Sequence, residues 1–92
     1  MAGFLIERYW PGVTMDDVGN ANQLLSDASN ADAVFVGSIL VPTDEIVLFE
    51  FSGSDADAVL DLTRRAGLRC DRIVAVTHLP RSGADPSTEL GS

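Results

Sequence analysis

The sequence predicts an α+β fold in which a four-stranded antiparallel sheet carries two helices on one face. Segments rich in β-branched and aromatic residues alternate with helical patterns in the order β-α-β-β-α-β. Both helical patterns begin at a residue that can cap a helix. The chain has 92 residues, which suits a single domain. This order of elements is typical of the ferredoxin-like fold.

The first strand and helix are predicted over residues 4–10 and from Thr14 to about residue 29. Residues 4–10 are rich in β-formers, and Pro11 and Gly12 end the run. Thr14 followed three residues later by Asp17 has the spacing of a capping box. The apolar residues that follow recur at helical spacing: Val18, Ala21, Leu25 and Ala28.

A β-hairpin is predicted next, with strands at residues 33–41 and 45–51 joined by a turn at residues 42–44. The second helix is predicted to begin at Ser54 as N-cap, with Asp57 at the capping-box position. Its buried stripe is Ala56, Val59, Leu60, Thr63 and Ala66, and Gly67 follows as the expected helix terminator.

The last strand is predicted over residues 72–79, ended by Pro80. Residues 1–80 are therefore predicted to form one domain. Residues 81–92 contain few residues that build a core, and we expect them to form a flexible C-terminal tail.

Both faces of the predicted sheet are apolar. The third strand places Val47, Phe49 and Phe51 on one face and Ile46 and Leu48 on the other. Strict alternation in the second strand opposes Val34, Val36 and Leu40 to Phe35, Ile39 and Val41. Two helices cover only one face, and large exposed apolar patches are rare on monomers. We therefore expect a homodimer that covers or encloses the second face.

Composition excludes several classes of function. The formal net charge is −8, with 14 acidic and six basic side chains. This balance argues against a nucleic-acid partner and against an anionic membrane surface. No apolar run approaches the length of a membrane span, and no basic leader precedes the first strand, so we expect a cytoplasmic protein. Cys70 is the sole cysteine, which excludes an intramolecular disulfide.

Four segments resemble a known family of small actinobacterial domains of unknown function, often described as nickel-binding-protein-like. They are residues 4–12 (FLIERYWPG), 37–45 (GSILVPTDE), 48–51 (LFEF) and 64–74 (RRAGLRCDRIV). The resemblance covers residues 3–79 and implies a ferredoxin-like fold, a homodimer and nickel binding. Metal-binding members of that family are similar in being rich in histidine. This chain has one, His78, and imidazole is a natural ligand for nickel.

Three polar residues are candidates for a site on the sheet face away from the helices: Glu7, Glu50 and His78. Parity places each of them among apolar residues of its strand, and the first strand of this fold lies between the third and the last. Two carboxylates and an imidazole could exchange protons near neutral pH or hold a divalent metal. The structural alternative is that Glu7 pairs with a neighbouring arginine while Glu50 and His78 face solvent.

Tyr9 and Trp10 complete the candidate ligand-binding residues, because two aromatic rings before Pro11 can stack a ligand at the mouth of a cavity. The alternative is that they anchor the core or a dimer. Three functions remain open. The first is a dimeric protein that binds a small molecule or a metal, and the second is a cofactor-free dimeric α/β-barrel enzyme (an isomerase, cyclase or monooxygenase) with His78 and Glu7 as acid–base groups. The third is an interaction or regulatory module without either activity. The sequence identifies no catalytic residue, no cofactor and no set of metal ligands.

Overall fold

The structure is a computed structural model that describes residues 1–79. The predicted tail at 81–92 and Pro80 lie outside the described residues. The elements follow the predicted order, with a short 3-10 helix at Pro42–Asp44 in the hairpin connection. The strands and helices are β1 (Ala2–Tyr9), α1 (Met15–Ala28), β2 (Ala33–Val41), β3 (Ile46–Gly53), α2 (Ala56–Ala66) and β4 (Arg72–Val76).

The four strands form one antiparallel sheet in the order β2-β3-β1-β4. This order and the two helices confirm the predicted ferredoxin-like α+β fold. The two helices pack against each other, and both contact β2. Among the described residues, no helix is long and apolar enough to cross a membrane.

One face of the sheet and the inner sides of both helices enclose the core. Residues of one parity on β1 and β3 are buried there, because successive side chains of a strand point to opposite faces. The helices contribute the apolar residues that recur at helical spacing. The core consists of Phe4, Ile6, Val18, Ala21, Leu25, Ala33, Val47, Phe49, Phe51, Val59 and Leu62.

The helix caps agree with the sequence at α1 and differ at α2. The Thr14 hydroxyl accepts from the Asp17 N–H at 3.1 Å, and the Asp17 carboxylate accepts from the Thr14 N–H at 2.9 Å, which completes the predicted capping box. The prediction of Ser54 as N-cap of α2 is wrong. Asp55 caps this helix through an Oδ1 that accepts from the Ala58 N–H at 2.8 Å. A carboxylate accepts a backbone hydrogen bond more strongly than a hydroxyl.

A bulge in β2 makes the predicted alternation of that strand wrong beyond Phe35. Phe35 lies opposite Phe51, whereas Gly37 lies opposite Glu50, so Val36 is the inserted residue. The bulge places Leu40 on the helix side with Phe35. It places Ile39, opposite Leu48, on the uncovered face with Val34 and Val41.

The end of β4 also differs from the prediction, since the strand stops at Val76 rather than residue 79. Val76 lies opposite Gly3, and β1 begins one residue earlier, at Ala2. A strand needs a hydrogen-bonded neighbour, and beyond the Gly3–Val76 pair β1 extends by only one residue, Ala2. His78 therefore follows the strand instead of lying on it.

Candidate functional site

The open face, defined here as the side of the sheet that the helices leave uncovered, is apolar with a few charged residues. In its register Leu5 lies between Glu50 and Val74, and Glu7 lies between Leu48 and Arg72. Large hydrophobic residues on this face are substantially exposed, which is unusual for side chains of this type. They are Tyr9 (52%), Val34 (41%), Val36 (59%) and Ile39 (55%).

Glu50 and His78 meet on the open face. The His78 Nε2 and the Glu50 Oε2 are 2.6 Å apart, a short hydrogen bond. Glu50 comes from β3, and His78 follows β4, so the contact spans β1, which lies between them. The Glu50 side chain is 27% exposed and the His78 side chain 76%, so the imidazole remains accessible.

A hollow of about 460 Å³ lies beside this pair at one end of the open face. Its floor is formed where Gly3 of β1 lies between Ser52 and Val76, because glycine leaves that position without a side chain. Glu50 and His78 supply its charged groups, and Val36 of the bulge contributes an apolar wall. Its volume falls in the range of small-molecule sites.

Glu7 takes a different partner from the other two predicted site residues. Its Oε2 lies 3.6 Å from the Arg72 Nη1 on the adjacent strand, a partly exposed ion pair. The structure thus brings Glu50 to His78 and Glu7 to Arg72. The acid–base roles considered for Glu7 and His78 in an enzyme would have to be performed by two separately paired groups.

The side chains of Tyr9 and Trp10 do not share a site. Tyr9 lies on the open face opposite Ile46, and its N–H donates to the Asp71 Oδ2 at 2.8 Å. Trp10 follows the strand and packs partly buried against the core. Its N–H donates to the Glu45 carbonyl at 2.7 Å, which ties the strand end to the hairpin.

Arg8 lies over the Trp10 ring, with its guanidinium carbon 3.7 Å from a ring centroid. The residue has the strand parity of the buried Phe4 and Ile6, so it lies on the helix side of the sheet. A second cavity of about 180 Å³ lies there, between Arg8, Trp10 and the two helices. Sequence reasoning passed over Arg8, although an arginine at a core-parity position of a strand was the available signal.

The Asp71 carboxylate joins β1 to β4 at this end of the sheet. The Tyr9 N–H and then the Arg69 guanidinium hold the pKa of Asp71 below its usual range, since both favour the ionised form. Burial raises the pKa of the neighbouring Cys70 thiol, and the Asp71 charge raises it further. Cys70 therefore lacks the low pKa that a nucleophilic cysteine needs.

The donor set for nickel is incomplete within one chain. Among residues 1–79, no group of three or more His, Cys, Asp or Glu side chains converges in a way that could hold a metal ion. Glu50 and His78 supply only two ligands, whereas first-row transition metals require about four to six. The residues described in a single chain do not fit a nickel site.

Comparison with known proteins supports the fold. No family model matches the sequence. No curated protein matches it either. The crystal structure of SCO4226 from Streptomyces coelicolor A3(2) is similar to this chain, with a TM-score of 0.75 and 25% sequence identity. The match covers 85% of this chain and 99% of SCO4226, so the two share the architecture over nearly their whole folded length.

Proposed function

We propose that the protein is a homodimer that binds a small organic molecule between two open faces, with Glu50 and His78 as its polar contacts. The observation that carries the proposal is the Glu50–His78 pair beside a 460 Å³ hollow on an otherwise apolar face. Binding sites for small molecules combine apolar walls with a few convergent polar groups, and this end of the open face has both.

Dimerisation is supported by the exposure of the open face. Val36 and Ile39 on the edge strand β2 are each more than half exposed, and the half-buried Leu48, Leu5 and Val74 continue the apolar surface across β3, β1 and β4. Contact with a second sheet would remove these side chains from water, which stabilises by roughly 25 cal/mol per Å² of apolar area. A two-fold axis satisfies both copies at once, because each offers the same surface.

The ligand's polar end is inferred from the pair itself. Glu50 accepts hydrogen bonds, and the imidazole of His78 can donate or accept, depending on which ring nitrogen carries the proton. A molecule with a hydroxyl, amide or amine group would therefore find both kinds of partner. The hollow is open on one side in a single chain, and the second sheet would close it.

The resemblance to nickel-binding-protein-like domains supports a binding function and a dimer more than it supports nickel. Within residues 1–79, this end of the open face presents two donors, at Glu50 and His78. A nickel site there would require further donors, which a second copy of the chain could supply. We therefore propose an organic ligand and retain added Ni²⁺ as a direct competitor in the test.

Native mass spectrometry of freshly purified protein, with and without added Ni²⁺, tests the proposal. We expect a dimer that carries a retained small-molecule mass, and a His78→Ala variant that stays dimeric and loses this mass. A bare dimer that binds stoichiometric Ni²⁺ would replace the organic ligand with the metal. A bare dimer that binds neither would leave dimerisation intact and remove the binding function.

Ile39→Glu and Leu24→Glu form a matched pair that tests where the dimer forms. Ile39 lies on the open face and is 55% exposed, and Leu24 lies on α1 and is 54% exposed. Both variants add one negative charge at an exposed apolar position. We expect Ile39→Glu to raise the dimer dissociation constant at least about 100-fold, because it would bury an unpaired charge. Equal effects of the two variants would exclude the open face as the interface.

A further inference from the structure

We propose a second binding site on the helix side of the sheet, in which Arg8 binds a small monocarboxylate whose apolar body fills the 180 Å³ cavity beside Trp10. This site is separate from the hollow beside Glu50 and His78, because it lies on the opposite face of the sheet. It is complete within one chain and does not depend on dimerisation.

Arg8 is the arginine that lacks an anionic partner among the described residues. The other four arginines within residues 1–79 form ion pairs, with Asp61, Asp71 or Glu7. The Arg8 Nε is fully buried and has no hydrogen-bond partner. A buried donor without a partner costs free energy, and a carboxylate bound where Arg8 borders the cavity would offset that cost by pairing with the guanidinium charge.

The orientation of the guanidinium suits such a contact. The guanidinium carbon lies 3.7 Å from the centroid of a Trp10 ring, and this contact restricts where the group can lie. The N–H bonds of a guanidinium point outward along its edge, where a carboxylate can accept two of them. Arg8 also borders the cavity, so its edge is within reach of a molecule bound there.

The walls of the cavity indicate the polarity and size of the part of the ligand beyond its carboxylate. Ala21 and Leu24 of α1, with Ala66 and Leu68 at the end of α2, form apolar walls. A dry cavity of about 150 Å³ accommodates benzene in another protein, so 180 Å³ suits a body the size of one aromatic ring.

Local charge favours a singly charged acid. Asp17 also borders the cavity, and its Oδ2 is already used to cap α1. Its negative charge would repel a phosphate dianion more strongly than a monocarboxylate. Burial and then the nearby Arg69 lower the pKa of Arg8, and the charges of Asp71 and Asp17 offset this effect only in part.

Benzoate and benzamide are matched probes, because they share shape and differ in charge. The protein contains a single tryptophan, so the Trp10 indole N–H is a single NMR resonance, and the Arg8 Nε–H reports on the guanidinium that borders the cavity. At constant ionic strength, we expect benzoate to shift both resonances saturably and benzamide to leave them in place. Equal shifts with benzamide would reduce the site to an apolar hollow and overturn the proposal. The absence of a saturable shift up to the solubility limit of sodium benzoate would overturn it as well.

Arg8→Gln and Arg64→Gln are the matched variants. Both remove one positive charge, but the Arg64 side chain is 77% exposed on α2 and does not border the cavity. We expect Arg8→Gln to weaken benzoate binding at least about tenfold and Arg64→Gln to leave it unchanged. Equal weakening by both would show general charge attraction and contradict a site at Arg8.

Ala66→Leu keeps the test decisive if Arg8→Gln does not fold. The substitution adds volume at a cavity wall without changing charge, and leucine is a good helix former. We expect it to abolish the benzoate-dependent shift of the Trp10 indole while Arg8 remains. Unchanged benzoate binding by Ala66→Leu would place the ligand outside the cavity and overturn the proposal.

Discussion

The two faces of the sheet have similar apolar content but different surroundings. On the helix side, Val47 and Phe49 of β3 are completely buried. Between and beside them on the same strand, Ile46 and Leu48 point to the open face and are only partly covered. Alternating residues of one strand thus occupy a closed core and an unpartnered surface.

The comparison shows that apolar patterning identifies surfaces that require cover without identifying what covers them. On the helix side, the cover is in the chain itself, because α1 and α2 present apolar stripes of matching size. On the open face, residues 1–79 supply the Glu50–His78 and Glu7–Arg72 pairs and no helix. We therefore expect residues on the two faces to respond differently to substitution.

The largest effect is expected from Phe49→Ala compared with Leu48→Ala. Phe49 is fully buried, so removal of its ring should lower the free energy of unfolding by about 3–5 kcal/mol. Leu48 is partly exposed, and its truncation in the monomer should cost about 1 kcal/mol. Urea denaturation at several protein concentrations measures both. If the loss of stability caused by Leu48→Ala grows with protein concentration, a second chain buries Leu48. If Leu48→Ala and Phe49→Ala destabilise equally at high dilution, the two faces do not differ in burial within one chain.

A smaller effect is expected from Gly53→Ala at the end of β3, on the helix side. A Cβ at this position would lie 2.7 Å from the Val59 Cγ2, closer than packed carbon atoms allow. We expect a loss of about 1–3 kcal/mol in unfolding free energy, because overpacking displaces α2 from the sheet. Gly37→Ala is the control, since a Cβ there meets nothing within 4 Å. Thermal unfolding of the two variants decides between them, and similar melting temperatures would show that α2 can adjust.

The smallest effect is expected from Asp71→Asn. Asp71 directly precedes β4 and accepts a hydrogen bond from the end of β1. The folded-state pKa of Asp71 is lowered by the Tyr9 N–H and the Arg69 guanidinium, so its ionised form favours the folded state. The stabilisation is present above the unfolded-state pKa of about 3.9 and is lost as pH falls through the lower folded-state pKa. Wild type should therefore exceed Asp71→Asn in stability at neutral pH, and the difference should shrink in acid.

Asp44→Asn provides the control for this pH dependence. Asp44 is exposed in the 3-10 helix, and its carboxylate makes no hydrogen bond or ion pair with residues 1–79. Urea unfolding from neutral to acidic pH should give nearly parallel curves for this variant and wild type. A pH-independent difference between Asp71→Asn and wild type would contradict a role for the Asp71 charge.

Local signals in the sequence predicted the elements well where short-range interactions define them. The capping box of Thr14 and Asp17 and the left-handed Gly67 after α2 both involve residues within one helical turn. The sequence predicts the N-cap of α2 one residue too early, because both Ser54 and Asp55 are residues that favour the N-cap position. The choice between them depends on how the chain leaves β3, which is a tertiary matter.

The candidate site was less predictable because its contacts join distant segments. Parity predicted that Glu7, Glu50 and His78 share a face, but the pairing of charges depended on register. Glu7 lies directly opposite Arg72, and this neighbour became its partner. The parity of Arg8 with Phe4 and Ile6 indicates the side of the sheet on which it lies, but its contacts there depend on how α1 and α2 pack.

The predicted stripe of α2 omitted Leu62, which is fully buried. By itself, the sequence determined the order of elements, the apolar stripe of α1 and the presence of two apolar faces on the sheet. These follow from propensity, periodicity and capping, which act within a few residues. Only the tertiary structure decided that β2 bulges at Val36, that β4 ends at Val76 and that His78 reaches Glu50, 28 residues away in sequence. These features depend on strand register, which is set when distant segments pack against a common core and against each other.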